Sequence, residues 1–229
     1  MRATRDLLLR RLHLVRKRGQ RLAHIQNTRA QYHLPEFGRR LAYPGNRDGV
    51  VGHFPDPSVR KSIEVDVVLI DQYDSLVNDL ALTIVREAKR HDGDAFHRLR
   101  SVPGIGKVLA LTILYEIHDI HRFDRVQEFA SYARLVKCQQ QSGGRTLGTS
   151  GAKMANLRLK WAFSEAAVLF LRHTKDGKKL LAVIAKKHGK GKALSVLAHK
   201  IGRAVYYMLS RGTVLSMEKF LAAEREGSG

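Results

Sequence analysis

The chain has 229 residues, 44% of them hydrophobic, with 41 Lys and Arg against 21 Asp and Glu, a formal charge of +20. That apolar fraction is enough for one large or two small cored domains, and so positive a charge selects a polyanion as partner. No apolar run approaches the roughly 20 residues that span a bilayer, Leu7-Leu8-Leu9 runs straight into Arg10-Arg11 instead of a signal-peptide core, and a lone Cys138 excludes an intrachain disulfide and fits a reducing cytosol.

In chain order, the first element is a long helix from Thr4 to about Tyr32. Leu8, Leu12, Val15, Leu22 and Ile25 recur at near-heptad spacing, and Arg10, Arg11, Arg16, Lys17, Arg18, Arg21 and Arg29 cover the other faces. Such a helix reads either as a solvated coiled-coil arm or as an arm that also lies on nucleic acid. Leu34 to Ser58 is a connector, holding four of the five prolines among several glycines. Ser58 is placed to cap a second long helix, which ends near His91 before Asp92-Gly93, with Ile63, Val67, Ile70, Val77 and Ile84 as its buried stripe. Two long helices joined by turn-rich sequence predict an antiparallel hairpin or a dimerising pair. Glu64, Asp66, Asp71, Asp74 and Asp79 could offer paired carboxylates to Mg²⁺, but they follow the amphipathic pattern. The preferred reading is a solvated face, with pairing to the first helix's arginines as the other option.

Residues 96–116 contain Val102-Pro103-Gly104-Ile105-Gly106 between two helical patterns. Pro103 ends the first helix, and Gly104 and Gly106 permit backbone angles that side chains disfavour. The second helix starts at Gly106 or Lys107 with its first N–H groups unpaired, so an anion fits there, helped by the helix dipole and Lys107. The pattern reads as a helix-hairpin-helix, a module that grips nucleic-acid backbone without reading bases.

Downstream, Asp124 is placed to cap a helix through Ala133. From Phe129 to Phe163 there is no Asp or Glu, whereas Arg134, Lys137, Arg145, Lys153, Arg158 and Lys160 are basic. Inside this acid-free stretch, residues 139–151 read as a polar, Gly-rich loop containing Ser142-Gly143-Gly144. A buried helix is expected from Lys153 to Arg172, carrying Trp161, Phe163, Val168, Leu169 and Phe170. Helices at Lys178–Lys187 and Ala193–Leu209 flank the loop His188-Gly189-Lys190-Gly191-Lys192, which lacks the spacing and Ser/Thr of a P-loop but suits a phosphate contact through Lys190 and Lys192. Ser195 and His199 stand at i, i+4 with no third group, and His118 and His121 lack zinc spacing. The chain thus divides into a long-helix hairpin (1–93), a compact helical domain (94–212) and a tail (213–229), all α-helical. No residue set is assigned to a metal.

The helix-hairpin-helix, Ser142-Gly143-Gly144, Gly148-Thr149-Ser150-Gly151, the segment from Leu159 to Ala167, the 188–192 loop and the segment from Ala198 to Tyr206 jointly resemble the C-terminal part of serine-bearing, DEDD-type transposases of bacterial insertion sequences, relatives of Piv-like DNA invertases. The resemblance implies a catalytic serine at Ser142, with Ser150 as the local rival that is better placed to cap the next helix. Nucleic-acid contacts are expected at Gly104, Gly106, Lys107, Arg145, Lys153, Asn156, Arg158, Lys190 and Lys192. Partners would be DNA and a structured guide (bridge) RNA, with self-association through the long helices and no membrane, in bacterial cytoplasm at the nucleoid. Family members carry an upstream RuvC-like domain whose four acids bind divalent metal. This chain begins about where the coiled coil starts, so Mg²⁺ is expected on that domain and no cofactor on this chain. It also departs from the pattern at Ala155, where Gly is usual, and at Gln141, where an acid is common. A truncated or decayed element, or a separate reading frame, follows as an expectation, and a non-catalytic nucleic-acid-binding helical module is the alternative.

Overall fold

The computed structural model describes residues 1–136, 138–142, 145–150 and 156–222. Its helices are α1 (Arg2–Gln31), α2 (Pro57–Ser101), α3 (Lys107–Ile117), α4 (Val126–Tyr132), α5 (Leu157–His173), α6 (Lys175–His188), α7 (Lys190–Arg211) and α8 (Met217–Ala222), and the fold is all-α in class. Strands β1 (Cys138–Ser142) and β2 (Arg145–Ser150) form a two-stranded antiparallel ribbon. No helix among the described residues is long and apolar enough to cross a membrane. The chain forms two compact units, residues 3–86 and residues 87–229 with residues 1 and 2.

In the first unit, α1 and the first part of α2 run antiparallel. Arg21 and His24 both pair with Asp66, and Arg18 with Asp74, so partner numbers fall on α2 as they rise on α1. Ile63, Ile70, Val77 and Ile84, seven residues apart, are buried, the heptad seam of a two-helix pairing. The connector takes part in this core. Leu41, Val50 and Phe54 cluster with Ile25, Ile63 and Ile70, and short 3₁₀ turns at Pro44–Asn46 and Val50–His53 bring them in. The cap of α2 is Asp56, not Ser58: its Oδ1 accepts from the N–H groups of Ser58 and Val59 at 2.8 and 3.0 Å, with Pro57 opening the helix.

The carboxylates of α2 divide. Glu64 is exposed and pairs with Lys61 at i−3, and Asp79 is exposed. Asp66 is buried against Arg21 and His24. Asp71 and Asp74 receive the buried Arg47 guanidinium, which also donates to the carbonyls of Leu41 and Ala42. The solvated-face expectation therefore fails for the buried Asp66 and the partly buried Asp74, because burial beside arginines makes pairing the cheaper state. Asp71 stays on the exposed face with Arg47 as its partner. Burial alone would raise the Asp74 pKa, but hydrogen bonds from Arg47 and Arg18 outweigh it and hold this carboxyl below its ordinary value.

The helical run of α2 breaks after His91, where the sequence placed the end of the second long helix. Asp92 leaves the helical region (φ −160°, ψ 81°), its Oδ1 accepts from the Ala95 N–H at 2.8 Å, and the helix resumes to Ser101. In the second unit α3 is buried from Leu109 to Ile117 and packs on α5, which with α4 and α6 surrounds α7. Phe129 meets Phe163 edge-on at 6.0 Å and Tyr206 at 5.8 Å. At Gly202 of α7 the Leu135 side chain packs close, its Cδ1 2.3 Å from where a Cβ would stand. Trp161 is 45% exposed, against the expectation of burial, since α5 turns Leu159, Ala162, Phe163, Ala166 and Phe170 inward and its other face outward.

Candidate nucleic-acid interface

The turn between α2 and α3 is built by its residue types. The Ile105 N–H bonds the Val102 carbonyl at 2.9 Å, with Pro103 at the second position and Gly104 at φ +88° in the third, the arrangement of a type II turn. Gly106 then holds extended backbone (φ −78°, ψ −178°) at the head of α3 without any side-chain cap. The first intrahelical bond runs from the Ala110 N–H to the Gly106 carbonyl at 2.9 Å, so the N–H groups of residues 107–109 head the helix without intrahelical acceptors. Gly106 and Lys107 are exposed.

The two glycines have different reasons to be there. A Cβ on Gly104 would fall 2.6 Å from the Ala166 carbonyl oxygen and 2.5 Å from the Phe170 nitrogen, both backbone atoms of α5, while a Cβ on Gly106 would meet nothing within 4 Å. Gly104 thus seats the turn on α5, and Gly106 is the one that leaves the end of α3 open.

Ser142 and Arg145 lie in the ribbon, not in a loop. Their Cα atoms are partners at its far end, Cys138 pairs with Ser150 at its root, and the register shifts between Gln140 and Gln141. Period-two alternation is absent from Cys138-Gln-Gln-Gln-Ser142, which is why the sequence read as loop. Lys153, with Gly143, Gly144 and Gly151, lies outside the described residues.

Asn156, expected on nucleic acid, is instead taken up by the fold. Its side-chain oxygen caps α5 by accepting from the Arg158 and Leu159 N–H groups at 2.9 and 3.1 Å. Its Nδ2 donates to Glu116 at 2.6 Å and to the Tyr132 hydroxyl at 3.4 Å, and its N–H to the Tyr132 carbonyl at 2.8 Å. All four side-chain bonds of an amide are then in use. Arg158 is half exposed and reaches Glu116 at 3.6 Å. Burial alone would raise the Tyr132 pKa, but hydrogen bonds from Asn156 and Arg122 bring it below the ordinary phenol value. This cluster joins α3, α4 and α5 where the chain enters and leaves the ribbon.

Lys190 and Lys192 are exposed in the first turn of α7, because the expected five-residue loop is a single residue, Gly189, at φ +83°. Among the described residues no group of three or more His, Cys, Asp or Glu could hold a metal ion, and Asp66, Asp71 and Asp74 are held by arginine or histidine. These residues do not fit a divalent cation.

Residues 96–182 match the Transposase IS116/IS110/IS902 family. The matched transposase-like segment covers the end of α2, the turn, α3, α4, the ribbon, α5 and half of α6. The transposase for insertion sequence element IS1111A of Coxiella burnetii (strain RSA 493 / Nine Mile phase I) is 30% identical over 118 residues, 50% of this chain and 32% of that protein. The transposase for insertion sequence element IS1328 of Yersinia enterocolitica is 24% identical over 139 residues, 58% of this chain and 42% of that protein. The matches span about a third to two fifths of these curated relatives.

Sequence reasoning missed Glu116, which lies in the most apolar helix of the transposase-like segment and is only 4% exposed. A lone acid in an apolar run was the available signal. Glu116→Ala is expected to cost about 2 kcal/mol, because it strips Asn156 of a charge-assisted acceptor in a buried site. Urea unfolding of the two proteins checks this, and a difference below about 0.5 kcal/mol would show the cluster to be inessential.

Proposed function

We propose that this chain is part of an insertion-sequence DNA transposase, in which the transposase-like segment grips DNA backbone and presents a serine nucleophile. The observation that carries this reading is the coincidence of the family match with the elements of the site: the Pro-Gly turn, the open end of α3 and the ribbon all lie within residues 96–182. The main-chain N–H groups of residues 107–109 and the Lys107 ammonium contact phosphates of a duplex, a contact blind to sequence. Sequence is then read by a guide RNA that pairs with donor and target DNA. The long helices of the first unit associate with a second copy. The protein works in the bacterial cytoplasm on chromosomal DNA.

Ser142 Oγ attacks phosphorus, the bond from phosphorus to the leaving deoxyribose oxygen breaks, and that oxygen takes up a proton. The resulting phosphoserine ester conserves the bond for rejoining by the reverse attack. Positive charge from Arg145, Lys153 and Arg158 balances the charge growing on the phosphoryl oxygens. The ribbon contains no Asp, Glu or His, so the group that takes the Oγ proton belongs to another part of the assembly.

Duplex binding followed by fluorescence anisotropy across a salt series tests the DNA grip. Wild-type affinity should fall steeply with salt. The Gly106→Val/Lys107→Ala double variant, which keeps the fold because a Cβ at 106 meets nothing, should bind about tenfold more weakly, with a log–log slope shallower by about 1. Equal affinity for the folded variant would remove α3 from the interface.

A further inference from the structure

The last helices enclose a feature that the transposase-like match does not reach. α7 contains no Asp or Glu in 22 residues. It ends at Gly212 in the left-handed conformation (φ +66°), and the Thr213 N–H returns to the Met208 carbonyl at 3.0 Å. The chain then folds back, anchored by Phe220, which is buried edge-on against Phe170 at 5.5 Å and lies under the Lys200 ammonium at 5.2 Å. Between α7 and residues 213–220 this leaves a groove of about 770 Å³ whose partly apolar lining includes Lys200, Arg203, Tyr207, Arg211 and Lys219 and none of the described acids. Positions 200, 203, 207 and 211 share one helix face, so the cations form a row with an aromatic ring among them. Arg203, Arg211 and Lys219 are exposed, and the Arg211 guanidinium stacks on Tyr207, 4.6 Å from its centroid.

The groove also leads somewhere. His199 and Arg203 line a second hollow of about 180 Å³ together with Val126, Ala130 and Val136, and Val136 stands two residues before β1. The row of cations therefore points from the tail of the chain toward the root of the ribbon that carries Ser142.

We propose that this groove binds a single DNA strand, with Arg203, Arg211 and Lys219 on its phosphates and Tyr207 with Arg211 under an unstacked base. The proposal rests on the reading of the chain as a DNA transposase and adds the site that holds one strand beside the ribbon. Charge alone would suit any polyanion. The aromatic and guanidinium planes within the row select a strand whose bases are free to stack, which a closed duplex does not present.

The test is anisotropy of a fluorescein-labelled oligothymidylate with the full chain. Arg203→Glu/Arg211→Glu should lower its affinity at least about tenfold and flatten the log–log salt slope by about 1.4, two contacts at roughly 0.7 each. Lys178→Glu/Lys186→Glu, the same charge change on exposed positions of α6, should change affinity less than about threefold, because the groove keeps its contacts. Tyr207→Ala should lose about fivefold or more at an unchanged salt slope, since stacking releases no counterion. Equal losses in the two charge-reversal variants, or competition by polyglutamate as effective as by unlabelled oligothymidylate, would reduce the groove to general charge and overturn the proposal. Tighter binding of an oligouridylate by about tenfold or more would reassign it to RNA. If the groove variants bind oligothymidylate normally while Gly106→Val/Lys107→Ala loses duplex DNA, the groove fails and the transposase reading stands. If the wild type binds neither form of DNA, both fall.

Discussion

Ser142→Ala is expected to form no covalent adduct with DNA when the chain is supplied with a RuvC-like metal-binding domain, guide RNA and target. The wild type, trapped under denaturing conditions, should run as a protein–DNA band. Loss of the only attacking oxygen should lower adduct formation at least about 10³-fold, because no neighbouring group replaces a covalent nucleophile. Ser150→Ala is the discriminating control. The two serines lie at opposite ends of the ribbon, Ser142 paired with Arg145 at one end and Ser150 with Cys138 at the other. At roughly 3.3 Å per strand residue they are about 16 Å apart, too far for one to serve the phosphate bound at the other. Ser150→Ala should therefore keep the adduct. Persistence of the band in Ser142→Ala together with its loss in Ser150→Ala would move the chemistry to the root of the ribbon.

Gly104→Val is expected to destabilise the second unit by about 4 kcal/mol or more, while Gly106→Val changes stability by less than about 1 kcal/mol. At φ +88° a β-branched side chain is sterically excluded from its ordinary conformations. Its Cβ would also press on the Ala166 carbonyl and the Phe170 nitrogen, backbone atoms already fixed within α5. At Gly106 the backbone is extended and the space open, so Val is tolerated there. Urea unfolding followed by circular dichroism reads both variants. A cost below about 1 kcal/mol for Gly104→Val would mean that α3 and α5 separate more readily than their packing implies. The same pair protects the binding experiment: Gly104→Val weakens binding through the fold and says nothing about phosphate, whereas Gly106→Val addresses phosphate alone.

Periodicity and backbone chemistry made much of this protein readable in advance. Heptad spacing of Ile63, Ile70, Val77 and Ile84 marks a long helix whatever surrounds it, and Val102-Pro103-Gly104-Ile105 specifies its turn through the φ of Pro and the positive φ open to Gly, both local properties. The composition likewise sets the charge, and hence the class of partner, before any folding. Contacts between distant residues were beyond such reasoning. That Gly104 lies against Ala166, that Asn156 serves Glu116 and Tyr132, and that Arg47 gathers Asp71 and Asp74 all depend on partners 20 or more residues away, whose proximity no local pattern encodes. The ribbon was hidden for a related reason: a strand pair without alternating apolar residues is held by cross-strand hydrogen bonds and leaves no periodic trace in the sequence. Residue types thus determined where helices run and where the backbone turns. Tertiary packing decided which of the polar and glycine residues serve the fold and which remain open to a ligand.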